Sequence, residues 1–362
     1  QVVRETVIVE ETQLVERTVE KVVTASPAPP SRAVVVADVL DYGWTQFCML
    51  MSPAFQEMFP NTVIRWRTLS HWQEYPARIA AQQAAGNQGD LIEAPLGTLL
   101  AQWHRDGITR PLDDLFQAVP LDTSDMMQGV LAACTVAGLH VGIPFLGHAG
   151  ENVLVYHREL FGRAGLSYPT LDWSIDDLRH AALALTGGRN RDGHNDLFGM
   201  AVRGELPGAY PALRAFGGSL LSKDGRDCVL AEKRGLAYLS WLERSVWGDG
   251  VAPAPHQIVR GIHSMFLDGG IGMLRDSFNL AVLLERSEES VPMGSTLFPR
   301  AGGVTTRGAL PTGMAYAISR DSSVARETLQ WIKFISSREM GVQMFLGGYA
   351  EPGCRLASWQ DG

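Results

Sequence analysis

Aromatic and acidic side chains follow three apolar runs early in the sequence. Tyr42 and Trp44 come directly after VVVADVL, Trp72 follows NTVIRWRTL, and Glu93 lies near the end of GDLIEAP. An aromatic ring offers a flat apolar face and a carboxylate accepts hydrogen bonds, so together they suit a small polar ligand. We therefore expect these four side chains to line a ligand site. The alternative is that the rings pack on the core.

The three apolar runs are predicted strands of one sheet. SPAFQEMFP is predicted to be a helix between the first two strands, and residues 75–85 a helix before the third. Strands that alternate with helices predict a parallel sheet with helices on both faces. Because ligands of such sheets bind at the carboxyl ends of the strands, the four side chains lie where a ligand would be expected.

A second set of elements follows residue 147. VLVYH, DLFGMAV and GIGMLRD are predicted strands with helices between them, GALPTGMAYAIS is one more strand, and SSVARETLQWIKFISSREMGVQMFL is a long helical tail. The chain thus contributes strands to one sheet, then to a second sheet, and then returns to the first, which predicts two α/β lobes. Its length of 362 residues also predicts two lobes. We expect one lobe over 34–147 plus about 298–322, and the other over 148–297 plus about 323–362.

Gly147 and Gly150 lie between two predicted strands, in GIPFLGHAGENVLVYH. Glycine tolerates backbone angles that other residues reach only at a cost, so this pair suits either a tight turn or a crossing between two bodies that move. Since the chain changes sheets at this point, we favour a hinge.

The first 33 residues differ from the rest. QVVRETVIVEETQLVERTVEKVVT alternates Val and Thr with charged residues and has no aromatic residue, and ASPAPPSR follows as a proline-rich linker. We interpret residues 1–33 as a stalk or tether. The alternative is a helical coiled-coil arm that mediates assembly, because Val3, Val7, Leu14 and Val22 fall loosely on heptad spacing.

Charge and composition exclude several classes of function. A net charge of −8 and a pI near 5.6 argue against nucleic-acid binding and against attraction to anionic lipid. The four cysteines form no C-x-x-C pair, the nine histidines show no i, i+4 pair, and no nucleotide or hydrolase motif occurs. We therefore expect no metal site, no cofactor and no catalytic residue, and we leave open whether any cysteines are bridged.

Six segments, in order, resemble one known family. They are FQEMFPNTVIRW, AAGNQGDLIEAP, IPFLGHAGENVLVYHRELFGRAGLSYPTLDWS, AVRGELPGAYPALRAFGGSLLSKDG, IHSMFLDGGIGMLRDSF and ETLQWIKFISSREM. They are similar to the extracellular solute-binding proteins of ABC importers, in the sugar-binding branch that includes maltodextrin-binding proteins. Two departures are His157-Arg158, where the family has Asn-Lys, and Gln88-Gly89, where a proline is common.

The resemblance implies a periplasmic-binding-protein-like α/β fold, with two lobes joined by a hinge and a ligand cleft between them that closes on binding. It implies a carbohydrate ligand, delivery to the transmembrane subunits of an ABC importer, a monomer, and an extracytoplasmic location with a lipid anchor upstream of this chain. Sugars combine hydroxyls with a face of C–H groups, so their sites pair aromatic rings with charged side chains. By position in the family, further ligand contacts would be Arg203, Glu205, Tyr210, Arg275, Asp276, Asn279 and Tyr349.

Three other functions stay open at this point. The ligand could be a polar small molecule other than a sugar. The chain could be a glycosidase-type enzyme, which would need two carboxylates about 5 to 10 Å apart across the cleft. It could also be a structural or adhesive protein that assembles through residues 1–33.

Overall fold

A computed structural model describes residues 3–9, 13–19, 32–148, 150, 152–188, 196–258, 261–276, 291–305, 307–308 and 310–360. The candidate ligand residue Asn279 lies outside the described residues. The strands, in chain order, are β1 Val3–Val9, β2 Gln13–Val19, β3 Ala33–Leu40, β4 Thr62–Leu69, β5 Leu91–Pro95, β6 Thr135–Val136, β7 Leu139–His140, β8 Ile143–His148, β9 Val153–His157, β10 Met273–Asp276, β11 Met293–Leu297 and β12 Thr312–Ile318.

The α-helices, in chain order, are α1 Gly43–Met58, α2 Tyr75–Ala84, α3 Thr98–Arg105, α4 Gln128–Ala132, α5 Arg158–Arg163, α6 Ile175–Leu185, α7 Leu206–Ala215, α8 Lys233–Glu243, α9 Ile262–Leu267, α10 Ala325–Ile335 and α11 Arg338–Leu346. Short 3₁₀ turns cover Asp113–Gln117, Pro255–Gln257 and Leu356–Trp359, and a single π turn covers Arg244–Gly248.

The first lobe is built on a five-stranded sheet in the order β4, β3, β5, β12, β8. Strand β3 is parallel to both β4 and β5, as the alternation of strands and helices predicts. Strand β12 is antiparallel to β5 and to β8, so the sheet is mixed and the prediction of a parallel sheet was incomplete. The difference arises because β12 returns from the second lobe and enters the sheet from the opposite end.

The C-terminal helices pack on this first lobe. Leu329, Trp331 and Ile332 of α10 are buried in the same apolar core as strands β3, β5 and β12, and the Trp331 ring meets Phe55 edge-on at 5.1 Å. We expected residues 323–362 to belong to the second lobe, and this part of the domain assignment is corrected. The apolar stripe of an amphipathic helix shows that the helix packs on a core but not which sheet it covers, so local pattern could not predict this placement.

The second lobe contains a three-stranded antiparallel sheet in the order β10, β9, β11. Helices α5 to α9 surround it, and α6 begins with a complete capping box, in which Ser174 and Asp177 exchange hydrogen bonds. The predicted strand DLFGMAV makes only isolated bridges within the described residues, at Leu197, Phe198 and Ala201. Its remaining backbone groups bond to loops, for example Met200 to Val251.

Two segments connect the lobes, and they lie side by side. The first runs from β8 to β9 and the second from β11 to β12. The Phe298 amide donates to the Asn152 carbonyl at 2.9 Å, which joins the two connections directly. The predicted hinge residues differ in position: Gly150 lies in the first connection, whereas Gly147 lies inside β8 and pairs with Gly313.

Near the N terminus, β1 and β2 form an antiparallel hairpin in which Val3 pairs with Val19. These residues therefore form strands, and the alternative of a helical coiled-coil arm does not describe them. The role of residues 1–33 as a tether stays a prediction.

Candidate functional site

The exposed aromatic pair Tyr42 and Trp44 lies where β3 runs into α1. Their rings stack with centroids 4.6 Å apart and an angle of 21° between the planes. Tyr42 is 38% exposed, while Trp44 is half-buried and packs against the first core. The pair therefore offers an apolar face at the carboxyl end of a central strand, which fits the prediction that both residues contact a ligand.

Glu93 supports this pair from below. Its side chain is 0% exposed, Oε1 accepts a 2.6 Å hydrogen bond from the Trp44 indole Nε1, and Oε2 accepts one of 2.9 Å from the Leu40 amide. We expected Glu93 to touch the ligand, but a buried carboxylate with both oxygens engaged cannot do so in this arrangement. That expectation is corrected: Glu93 holds the half-buried Trp44, whose ring stacks on the exposed Tyr42.

Burial also changes the protonation of Glu93. Loss of hydration raises the pKa of its carboxyl from 4.5 to about 7, against the opposing effect of the hydrogen bonds from Leu40 and Trp44. The surrounding groups are neutral: burial raises the pKa of the Cys48 thiol to about 12 and that of the Tyr75 and Tyr316 phenols well above the usual value. A carboxyl that titrates near neutral pH thus lies directly beneath the exposed rings.

Trp72 lies in the turn between β4 and α2, and its ring is 37% exposed. Its carbonyl accepts the Tyr75 amide at 3.3 Å, which fixes the backbone of the turn. The exposure leaves the ring open to a ligand, so Trp72 stays a predicted contact.

Tyr349 lies in the loop after α11 and reaches the same end of the sheet. The centroids of the Tyr349 and Phe47 rings are 5.5 Å apart, and Phe47 belongs to α1. A Cβ added to Gly43 would be 2.8 Å from the Tyr349 carbonyl oxygen. The loop therefore lies directly against the first turn of α1, next to Tyr42 and Trp44. This placement agrees with the predicted ligand role of Tyr349 without testing it.

In the second lobe, four polar side chains form a network. Arg203 is bonded to Glu205, and its Nη1 lies 3.3 Å from Asp276 Oδ2. The same oxygen is 2.7 Å from His263 Nε2. The structure thus joins three of the predicted contacts, Arg203, Glu205 and Asp276. Sequence reasoning missed His263, because it lies on α9, which had no candidate residues.

Two other predicted contacts of this lobe, Arg275 and Tyr210, pack against the second core. Arg275 is 5% exposed, donates to the Gly208 carbonyl and lies 5.5 Å from the centroid of the Phe298 ring. It neighbours Asp276 on a strand, so the two side chains point to opposite faces. Tyr210 belongs to α7, where it is half-buried against the second core. Arg275 is thus enclosed, whereas Tyr210 keeps part of its surface exposed and stays a predicted contact.

A small cavity lies behind Arg203 within the second lobe. It is lined by Arg203, Arg275, Phe298 and, from α8, Tyr238 and Trp241. The Tyr238 hydroxyl and the Trp241 indole nitrogen are buried and have no hydrogen-bond partner in the structure.

Metal sites, disulfides and membrane-spanning helices are absent among the described residues. No cluster of His, Cys, Asp or Glu suited to a metal ion occurs among them. Cys48, Cys134, Cys228 and Cys354 are all free thiols. None of the described helices is long and apolar enough to cross a bilayer.

The family now follows from comparison with known proteins. Residues 51–357 match the family described as bacterial extracellular solute-binding protein. The chain belongs to this family. Among curated proteins, a binding protein of Brucella abortus is 22% identical over 297 residues, which cover 79% of this chain and 67% of that protein.

Solved structures of other solute-binding proteins share the fold. An ABC substrate-binding protein of Listeria monocytogenes in complex with cycloalternan has a TM-score of 0.74 at 20% identity, covering 90% of this chain and 81% of that one. UgpB of Mycobacterium tuberculosis in complex with glycerophosphocholine has a TM-score of 0.73 at 19% identity, covering 90% of this chain and 80% of that one. Maltose-bound MalE3 of T. maritima has a TM-score of 0.68 at 17% identity, covering 91% of this chain and 83% of that one. This solute-binding protein therefore has the periplasmic-binding-protein-like α/β fold predicted from its sequence.

Proposed function

We propose that this solute-binding protein captures a carbohydrate outside the cytoplasm and delivers it to an ABC importer. The observation that carries the proposal is the exposed stack of Tyr42 on Trp44 in a chain of this family. A stacked aromatic surface suits the C–H face of a sugar ring, and Trp72 and Tyr349 add aromatic groups at the same end of the sheet. The structural relatives support the choice, since those named above include proteins solved with cycloalternan and with maltose.

The second lobe would supply the polar half of the site. Arg203, Glu205 and Asp276, with His263, offer both donors and acceptors to hydroxyl groups. Ligand bound between the lobes would favour a closed arrangement only by the affinity difference between closed and open forms. Gly150 and the adjoining segment before β12 are the proposed hinge.

The importer partner, the monomeric state and the anchoring of the chain through its N-terminal tether belong to this proposal. Each follows from the family resemblance together with the position of residues 1–33 ahead of the first lobe. We propose no catalytic role. Glu93, one of the carboxylates at the strand ends, is buried and engaged, so it is not available for the paired-carboxylate chemistry of a glycosidase.

A second candidate ligand is a polar molecule that carries a phosphodiester or another anion. Arg203 and His263 in the second lobe are the groups that would favour it, and one structural relative was solved with glycerophosphocholine. Under this alternative the aromatic pair would contact an apolar or cationic part of the same ligand.

The proposal is tested by a thermal-shift and calorimetry screen against maltose, mannobiose, tagatose, mannitol and acarbose, with glycerophosphocholine as a separate arm. A ligand at a hundred times its dissociation constant stabilises the folded chain by roughly 2.7 kcal/mol, which is easily measured. We expect binding in the carbohydrate arm and recovery of the ligand intact after incubation. Binding of glycerophosphocholine alone would favour the second candidate, and turnover of an oligosaccharide would contradict a purely binding function.

A further inference from the structure

The Trp44 indole is held by a charged group that the ligand cannot reach. Two donors meet the Glu93 carboxylate from different sides: the Trp44 Nε1–H points at Oε1 and the Leu40 N–H at Oε2, at 2.6 and 2.9 Å. Above this contact, the indole stacks on Tyr42. One buried carboxylate thus fixes the orientation of the exposed aromatic pair.

The ionised form of Glu93 accepts from both donors more strongly than the protonated form. A carboxylate accepts at both oxygens with full negative charge, whereas a protonated carboxyl carries a hydrogen on one oxygen and is a weaker acceptor there. The Leu40 N–H belongs to the backbone at the end of β3 and cannot turn away. The Trp44 side chain can, so protonation of Glu93 weakens the bond to the indole first.

The surroundings make this ion costly to keep. The ionisable groups that the neighbouring elements turn toward Glu93 are Cys48 from α1, Tyr75 from α2 and Tyr316 from β12. None of them is a cation. On β3, the Asp38 carboxylate is engaged by Arg67. A buried charge without a counter-ion destabilises a fold, and a neutral side chain would fill the same space at lower cost. A purely structural role therefore does not account for a carboxylate here.

We propose that Glu93 is a positioning residue whose carboxylate locks the Trp44 indole against Tyr42, so that uptake of one proton by Glu93 loosens the pair and lowers affinity for the ligand. The part that concerns affinity rests on the proposed function, while the locking of the indole does not. The direction of the pH effect follows from the hydrogen bond that the Trp44 indole donates to the carboxylate, and burial, which raises the pKa of this carboxyl to about 7, places the change near neutral pH.

The locking is tested without any ligand. In protein labelled with ¹⁵N-tryptophan, the Trp44 indole N–H signal is assigned by its loss in Trp44→Phe and followed from pH 5.5 to 8.5. We expect a shift with a midpoint near 7 in the wild type and a signal independent of pH in Glu93→Gln, which has the shape of the protonated acid. Asp113→Asn is the matched control, because Asp113 bonds to His140 instead, and it should titrate like the wild type. An indole signal that does not respond to pH, or that titrates equally in Glu93→Gln, overturns the proposal.

The effect of Glu93 on affinity is measured with a carbohydrate that binds in the screen. At pH 8 Glu93→Gln should bind it about tenfold more weakly than the wild type, the loss expected for one hydrogen bond to a charged group. At pH 5.5 the two should converge, because the wild type is then protonated. If Glu93→Gln and the wild type bind equally well at pH 8, ligand binding by the pair Tyr42 and Trp44 does not depend on Glu93. If no carbohydrate binds, the proposed function fails while the indole titration still decides whether Glu93 positions Trp44.

Discussion

Gly150 lies against the carbonyl of Leu310 so closely that a Cβ at residue 150 would be 1.8 Å from that oxygen. The two residues belong to the two connections between the lobes. Gly150 also has φ +85°, a conformation that side chains other than glycine rarely adopt. The contact therefore requires glycine twice, for the backbone angle and for the close approach of the second connection.

Replacing Gly150 with alanine should separate the two connections and change how the lobes close. We expect apparent ligand affinity to fall several-fold, because the fraction of protein able to close is reduced. Small-angle scattering should show that the variant needs more ligand than the wild type for the same compaction. Gly165→Ala is the control, since Gly165 also has positive φ, +67°, but a Cβ there meets nothing within 4 Å. It should cost about 1 kcal/mol of stability and leave affinity unchanged. Equal behaviour of the two variants would contradict a special role for Gly150.

Removing the Tyr42 side chain should weaken ligand binding while leaving the free protein stable. The ring is 38% exposed and stacks on Trp44, so Tyr42→Ala removes part of the proposed ligand surface, which we expect to contribute on the order of 1 to 3 kcal/mol to binding. The matched control is Tyr168→Ala in the second lobe, a ring that is 46% exposed and packs on Tyr156. Calorimetry should find about tenfold weaker binding for the first variant alone. A drop in the melting temperature of free Tyr42→Ala with unchanged affinity would mark Tyr42 as a packing residue.

Glu93→Gln should be more stable than the wild type at pH 8 and equally stable near pH 4.5. Burial raises the pKa of Glu93 from 4.5 to about 7, so between these values the folded chain keeps a proton that the unfolded chain releases. The free energy of unfolding therefore falls as pH rises through this window, by about 3 kcal/mol in total, and is level above it. Glutamine does not titrate, so the difference between the two proteins isolates this group. Urea unfolding across the window measures it. A variant that is less stable at pH 8 would show that the two hydrogen bonds outweigh the cost of burying the charge.

The sequence predicted the strands and the place of the aromatic residues well, because these depend on local pattern. β3, β4 and α2 begin and end within a residue or two of the predicted ranges, and Tyr42 and Trp44 lie at the expected strand end. Family order then predicted the fold correctly. The predictions that failed concern long-range contacts. β12 is antiparallel in its sheet, and α10 covers the first lobe. Local periodicity indicates neither the direction of a strand nor the element on which an apolar face packs.

The site shows the same limit at the level of single side chains. A carboxylate two residues from a strand end could point to solvent or inward, and the hydrogen bonds from Leu40 and Trp44 show that the fully buried Glu93 points inward. Arg275 and Asp276 are adjacent in sequence and equally buried, at 5% exposure, yet Arg275 lies over the Phe298 ring while Asp276 joins Arg203 and His263. Side chains alternate along a strand, so neighbouring residues have different surroundings that their order in the sequence does not reveal.

Two buried tyrosines, Tyr238 and Tyr75, differ in their hydrogen bonding. The Tyr238 hydroxyl has no partner in the structure, whereas the Tyr75 hydroxyl lies 2.7 Å from the Asp38 carbonyl and 2.8 Å from that of Glu93. A buried polar group without a partner keeps the cost of its lost hydration, so Tyr238→Phe should leave stability unchanged or raise it by about 1 kcal/mol. Tyr75→Phe removes a satisfied hydroxyl and should lower stability by about 1 to 2 kcal/mol.

Urea unfolding at pH 8 measures both variants against the wild type. The two substitutions delete the same atom from side chains that are both almost fully buried, so their difference reports hydrogen bonding and not lost apolar area. A Tyr238→Phe variant as destabilised as Tyr75→Phe would mean that the cavity beside Arg203 holds a water that completes the bonds of Tyr238, because a bridging water is almost as favourable as a direct partner.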